Sequence, residues 1–86
     1  MEYKNISLME LFNIVDNWRY NKIDIIATVT TKYGKTVSGK VSFRAFPIPP
    51  HIKGASNPSI SIANEDIALM SIKTIAFDNC CYTIEE

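Results

Sequence analysis

Between Ile23 and Phe46 the chain alternates twice, and this alternation limits its fold more than any other feature. Ile23, Ile25, Ala27 and Val29 recur at every second residue; Val37, Gly39, Val41, Phe43 and Ala45 then do the same. Successive side chains of an extended strand point to opposite faces, so each set lines one side of a strand. Thr36, Ser38, Lys40, Ser42 and Arg44 fall on the other, wetted side of the second strand. Lys32-Tyr33-Gly34-Lys35 separates the runs, and Gly34 supplies the positive φ that a tight turn requires. The pattern predicts a β-hairpin with one apolar face, which the rest of the chain must cover.

The cover begins upstream. Ser7-Leu8-Met9-Glu10 reads as a capping box, in which the serine hydroxyl and the glutamate carboxylate each satisfy an amide at a helix start. Leu8, Leu11, Phe12, Val15 and Trp18 or Arg19 follow helical spacing, which predicts a helix over about 8–19 that stops near Asn21, a residue that tolerates the left-handed region. So short a helix is marginal alone and must dock on the sheet. Strand one is expected over about 23–31 and strand two over about 36–46, with a bulge or sharp bend at Gly39.

Phe46 to Pro58 breaks the pattern. Four prolines exclude ladder pairing, while Phe46, Ile48 and Ile52 make the loop apolar. These three either fold back over one end of the sheet or meet a partner. Ser59 to Ala63 alternates as a short strand, followed by a turn at Asn64-Glu65-Asp66 and renewed extended structure from Asp66 to Leu69. A change of spacing at Met70-Ser71-Ile72-Lys73 predicts one 3₁₀ turn before a last strand over 74–78. Cys81 to Ile84 either extends that strand or returns as a sixth one at the edge.

Eighty-six residues form one domain, 1–86, with a thin core. No apolar run approaches the length of a membrane span, and the N-terminus has no basic start followed by an apolar core, so the expectation is no membrane partner and a cytoplasmic location. Adjacent Cys80 and Cys81 are poorly placed to bridge each other, which also fits a reducing compartment. The net charge of zero hides an uneven spread: residues 19–53 carry a balance of +6, residues 54–86 of −4 and residues 1–18 of −2. A basic hairpin can meet an acidic surface, or can be neutralised by acids nearby in space. The three glycines form no phosphate loop, and the lone His51 is far in sequence from both cysteines, so neither an enzyme nor a bound cofactor or metal is expected. Trp18 and Tyr20, beside Arg19 and Lys22, read either as packing residues or as an aromatic and basic contact patch.

The run Ile25-Ile26-Ala27-Thr28-Val29-Thr30-Thr31-Lys32-Tyr33-Gly34-Lys35 resembles the glycine-closed hairpin of small Sm-like and SH3-like barrels. Asp66-Ile67-Ala68-Leu69-Met70-Ser71-Ile72-Lys73-Thr74-Ile75-Ala76-Phe77 is similar to their closing segment. Within that group the order of elements is nearest to the Rho-binding antiterminator (Rof) type, which has a leading helix. The resemblance covers about residues 5–78 and is one of pattern. It implies a mainly β fold with one N-terminal helix, built as a strongly bent five-stranded antiparallel barrel over about 23–84. It implies either RNA binding through loops, often as rings, or binding and blocking of a protein.

Three functions follow as expectations. The first is a protein-binding regulator, inhibitor or immunity factor, with contacts from Phe46, Ile48, His51 and Ile52 helped by Lys40 and Arg44. The second is binding of RNA or single-stranded nucleic acid through Lys32, Tyr33, Lys35, Lys40 and Arg44. The third is assembly of a homo-oligomer through edge strands.

Overall fold

Ser7 divides the N-terminal segment into two structures. The computed structural model describes residues 2–43 and 59–85. Residues up to and including Ser7 form strand β1 (Glu2–Ser7), and those after it form helix α1 (Leu8–Tyr20). The switch is local: the Ser7 hydroxyl accepts a hydrogen bond from the Glu10 amide at 3.1 Å, capping the helix. Leu11 and Val15 are fully buried and Trp18 nearly so, which gives α1 one apolar stripe. The helix ends one residue later than the sequence predicts. Its left-handed residue is Lys22 (φ 54°), while Asn21 has φ −91°.

Five of the remaining strands follow in the order β2 (Ile26–Thr31), β3 (Thr36–Ser42), β4 (Ser59–Ile62), β5 (Glu65–Ala68) and, after the single 3₁₀ turn η1 (Leu69–Ser71), β6 (Ile72–Phe77). Strand β7 (Cys80–Glu85) completes the fold. The fold is mainly β with one α-helix, as the alternation and the capping box predict. The sheet differs from a five-stranded antiparallel one. Among the described residues it has seven strands in the order β1-β7-β6-β2-β3-β4-β5, and β1 lies parallel to β7. Its two outer strands, β1 and β5, are not paired with each other.

The expected hairpin is β2–β3, with Val29 opposite Val37 and Ala27 opposite Gly39. Its inward residues Ala27, Val29, Val37 and Val41 are buried. Strand β2 begins later than predicted, because Ile23 to Ile25 connect the helix to the sheet. Described β3 structure ends at Ser42, and Arg44, Phe46, Ile48, His51 and Ile52 lie outside the described residues. Cys81 to Ile84 belong to a strand, but not an edge one: β7 lies between β6 and β1. Two-residue turns with positive φ at both positions, Ala63-Asn64 and Asp78-Asn79, close β4–β5 and β6–β7. The first of these falls one residue earlier than the sequence predicts.

Gly39 is the bend that the sequence anticipates. Up to Lys40, β3 pairs with β2; at Val41 and Ser42 it pairs with β4. Gly39 adopts φ 154°, a value side chains disfavour whatever the space, and a β-carbon there would touch Ile62 Cγ2 at 3.4 Å, a close but ordinary contact. The turn of β3 from one half of the sheet to the other therefore depends on a missing side chain. Gly39→Ala is expected to destabilise the fold by about 1–3 kcal/mol, read as a lower urea midpoint with an unchanged slope; an unaltered midpoint would show that the bend does not need glycine.

Candidate functional site

The end of α1 builds the most distinctive concavity among the described residues. Ile23 N–H donates to the Trp18 carbonyl at 2.9 Å and Lys22 N–H to the Arg19 carbonyl at 3.3 Å. With Lys22 left-handed, these are the two bonds of a Schellman motif, which reverses the chain just past the helix. The reversal brings Trp18 and Ile23 opposite the far end of β3, where Val41 N–H donates to the Ile25 carbonyl at 2.9 Å. Between them lies an open cleft of about 430 Å³.

Its floor is apolar, formed by Trp18, Ile23, Val41 and Phe43, and its cations are Arg19, Lys22 and Lys40. Two of these cations hold an acid. Arg19 grips Asp16 at 2.7 Å, and Lys40 approaches Asp24 at 3.4 Å across an exposed gap. The exposed pair is weak, because water screens it and both side chains lose freedom on pairing. Lys40 also borders a second depression of about 250 Å³, where Gly39 and Ser42 face Ser61 and Asn64. Buried Ser61 donates its hydroxyl hydrogen to Asp66 there.

Rings secure the wall behind Trp18. Trp18 meets Phe77 edge-on with centroids 4.7 Å apart, and Phe77 stacks on Tyr82 at 5.0 Å. Partial burial raises the Tyr82 phenol above its ordinary value of 10.0; the hydrogen bond with Cys80 and the charges of Cys80, Glu2 and Asp78 add to this. Cys80 and Cys81 are free thiols, and Cys80 Sγ lies 3.7 Å from Glu2 Oε2.

The second set of sequence candidates is split. Lys32, Tyr33 and Lys35 stay together on the β2–β3 turn, held by Thr31 Oγ1, which accepts from the Tyr33 and Lys35 amides at 3.3 and 3.1 Å. Tyr33 is 86% exposed, and Lys35 pairs with Glu65 at 2.7 Å. Lys40 sits opposite Ile26, at the other end of the hairpin, and belongs to the cleft instead. Of the helix-end aromatics, Trp18 is buried and Tyr20 is exposed. Sequence reasoning grouped Trp18, Arg19 and Lys22 but missed Asp24 and Phe43 as parts of the same cleft. The signal for Asp24 is its position just past a helix stop, where the reversing chain must border the helix end.

Among the described residues, no three of the His, Cys, Asp and Glu side chains come together as metal ligands, and no helix is long and apolar enough to cross a membrane. No protein-family model matches the chain, and no curated protein or solved structure matches it either.

The Tyr82 environment has a measurable consequence. Its raised value means that the fold favours the neutral phenol. That contribution is complete below pH 10.0, the unfolded value, and is lost as pH climbs through the folded one. The tyrosinate absorbance titration should contain a component above the ordinary tyrosine range that Tyr82→Phe removes; a difference curve between the two proteins with its midpoint inside the ordinary range would contradict the assigned environment.

Proposed function

We propose that this chain is a non-enzymatic protein-binding module, a small regulator, inhibitor or immunity factor, that holds its partner at the cleft beside the end of α1. One observation carries this reading: an open apolar floor of Trp18, Ile23 and Phe43 ringed by Arg19, Lys22 and Lys40. A floor of that kind suits a buried aromatic or aliphatic anchor, and the cations suit acidic groups flanking it. The partner segment is therefore amphipathic and acidic. Arg44, Phe46, Ile48, His51 and Ile52 follow Phe43 in the chain, and their basic, apolar and imidazole side chains belong to the proposed contact set on sequence grounds. The order α1, β2–β3, β4–β5, η1, β6 supports placing the domain beside the small Sm-like and SH3-like barrels, with β1 and β7 added.

Captured partners from the native host should be lost from the double variant Lys22→Glu with Lys40→Glu, and from Ile48→Asp with Ile52→Asp, while both variants keep the wild-type circular dichroism. If every captured partner stays bound to both, the cleft is not the contact surface.

A second reading rests on the β2–β3 turn, where Lys32 and Lys35 flank a Tyr33 that is 86% exposed. An exposed ring between cations suits stacking on an unpaired base. Single-stranded RNA should then be retarded at low salt, weaken as salt rises, and bind at least about tenfold less to Tyr33→Ala. Absence of a shift at low salt would eliminate this reading.

A further inference from the structure

The free edge of β1 carries a self-complementary pattern. Glu2 N–H donates to the Asn79 carbonyl at 2.9 Å, and β1 runs parallel to β7 with Glu2 beside Cys80 and Lys4 beside Tyr82. In a parallel ladder, alternate residues turn both backbone groups toward the neighbouring strand. Glu2, Lys4 and Ile6 therefore face β7 with their backbones, while Tyr3 and Asn5 face outward. Among the described residues, no strand pairs with that outer side. Tyr3 is 77% exposed, so its ring is as uncovered as its amide.

We propose that β1 pairs with β1 of a second copy of this chain, antiparallel and about a two-fold axis through Tyr3. Four arguments select this occupant and this register. The outward backbone groups belong to odd-numbered residues, so only registers that pair odd with odd form hydrogen bonds. Pairing Tyr3 with the partner's Tyr3 sets Glu2 against the partner's Lys4 and Lys4 against the partner's Glu2, two opposite-charge pairs on one face. Pairing Tyr3 with the partner's Asn5 sets Lys4 against the partner's Lys4, and like charges directly opposite destabilise a ladder. Pairing Asn5 with the partner's Asn5 sets Lys4 against the partner's Ile6 and leaves no opposite-charge pair across the ladder.

The other outer strand does not compete. Strand β5 spans four residues and carries Glu65 and Asp66, so self-pairing would crowd carboxylates. An edge whose charges oppose their own kind resists strand addition, whereas in β1 Glu2 and Lys4 answer one another under two-fold symmetry.

Sedimentation equilibrium of the full chain tests this. The wild type should pass from monomer toward dimer between about 10 μM and about 1 mM, a range expected for a small contact. Tyr3→Pro removes an outward N–H while leaving the bonds to β7, so it should be monomeric throughout with an unchanged circular dichroism spectrum. Lys4→Glu and Glu2→Lys should each be monomeric alone, because each opposes like charges. Mixed in equal amounts, they should associate at least as tightly as the wild type, since every opposed pair is then opposite in sign. A monomeric wild type at about 1 mM, a Tyr3→Pro chain that still dimerises, or charge variants that fail to pair on mixing would each overturn the proposal.

Discussion

A sheet with one apolar face needs a cover, and in this protein a single helix of thirteen residues supplies much of it. Leu11, Val15 and Trp18 press into the same cluster as Ala27, Val29, Ile72, Ile75 and Ile84. Burying side chains of this size stabilises by about 1.5–3 kcal/mol each, whereas so short a helix is marginal on its own. Helix and sheet are therefore mutually dependent. The edge contact of Trp18 with Phe77 fixes how the end of the helix lies over the sheet. Because that end also forms one wall of the cleft, the packing that holds the domain together shapes the proposed contact surface as well.

The elements that could be read from the sequence are those specified by neighbours in the chain. The cap at Ser7, the Gly34 turn, the Gly39 bend and the 3₁₀ turn before β6 each arise from residues a few positions apart. Strand β1 arises otherwise. Of its six residues only Ile6 is buried, and its partner strand lies at the opposite end of the chain, with Glu2 beside Cys80. Parallel pairing needs no turn and leaves no local signature. Once β1 is in place, β7 becomes an interior strand, and five strands become seven. The cleft is hard to read for the same reason: Trp18, Ile23 and Phe43 come from three segments that only the Schellman reversal and the β2–β3 ladder bring together.

The basic excess of the middle segment also divides in a way that composition conceals. Lys32 and Lys35 go to the hairpin turn; Arg19, Lys22 and Lys40 go to the opposite end. Each group meets acids: Glu65 at the turn, Asp16 and Asp24 at the cleft. Among the described residues the result is two local arrangements of ion pairs instead of one continuous basic face. Where such a pair is exposed it holds its cation loosely, so an incoming carboxylate can replace Asp24 on Lys40 at small cost. Neutrality overall is thus compatible with acid recognition at one end.

The geometry of the sheet sets how the edge and the cleft relate. Three strands, β7, β6 and β2, separate β1 from β3, the strand that lines the cleft. A contact made by β1 does not use the cleft residues, so pairing two chains at that edge leaves two clefts open on one particle. Two weak sites on one body bind a repeated or dimeric partner with far more avidity than either alone, provided both can be reached together. A small domain with a thin core has little area for one strong interface, and duplication through an edge strand is a physical route by which it can bind tightly without a larger one.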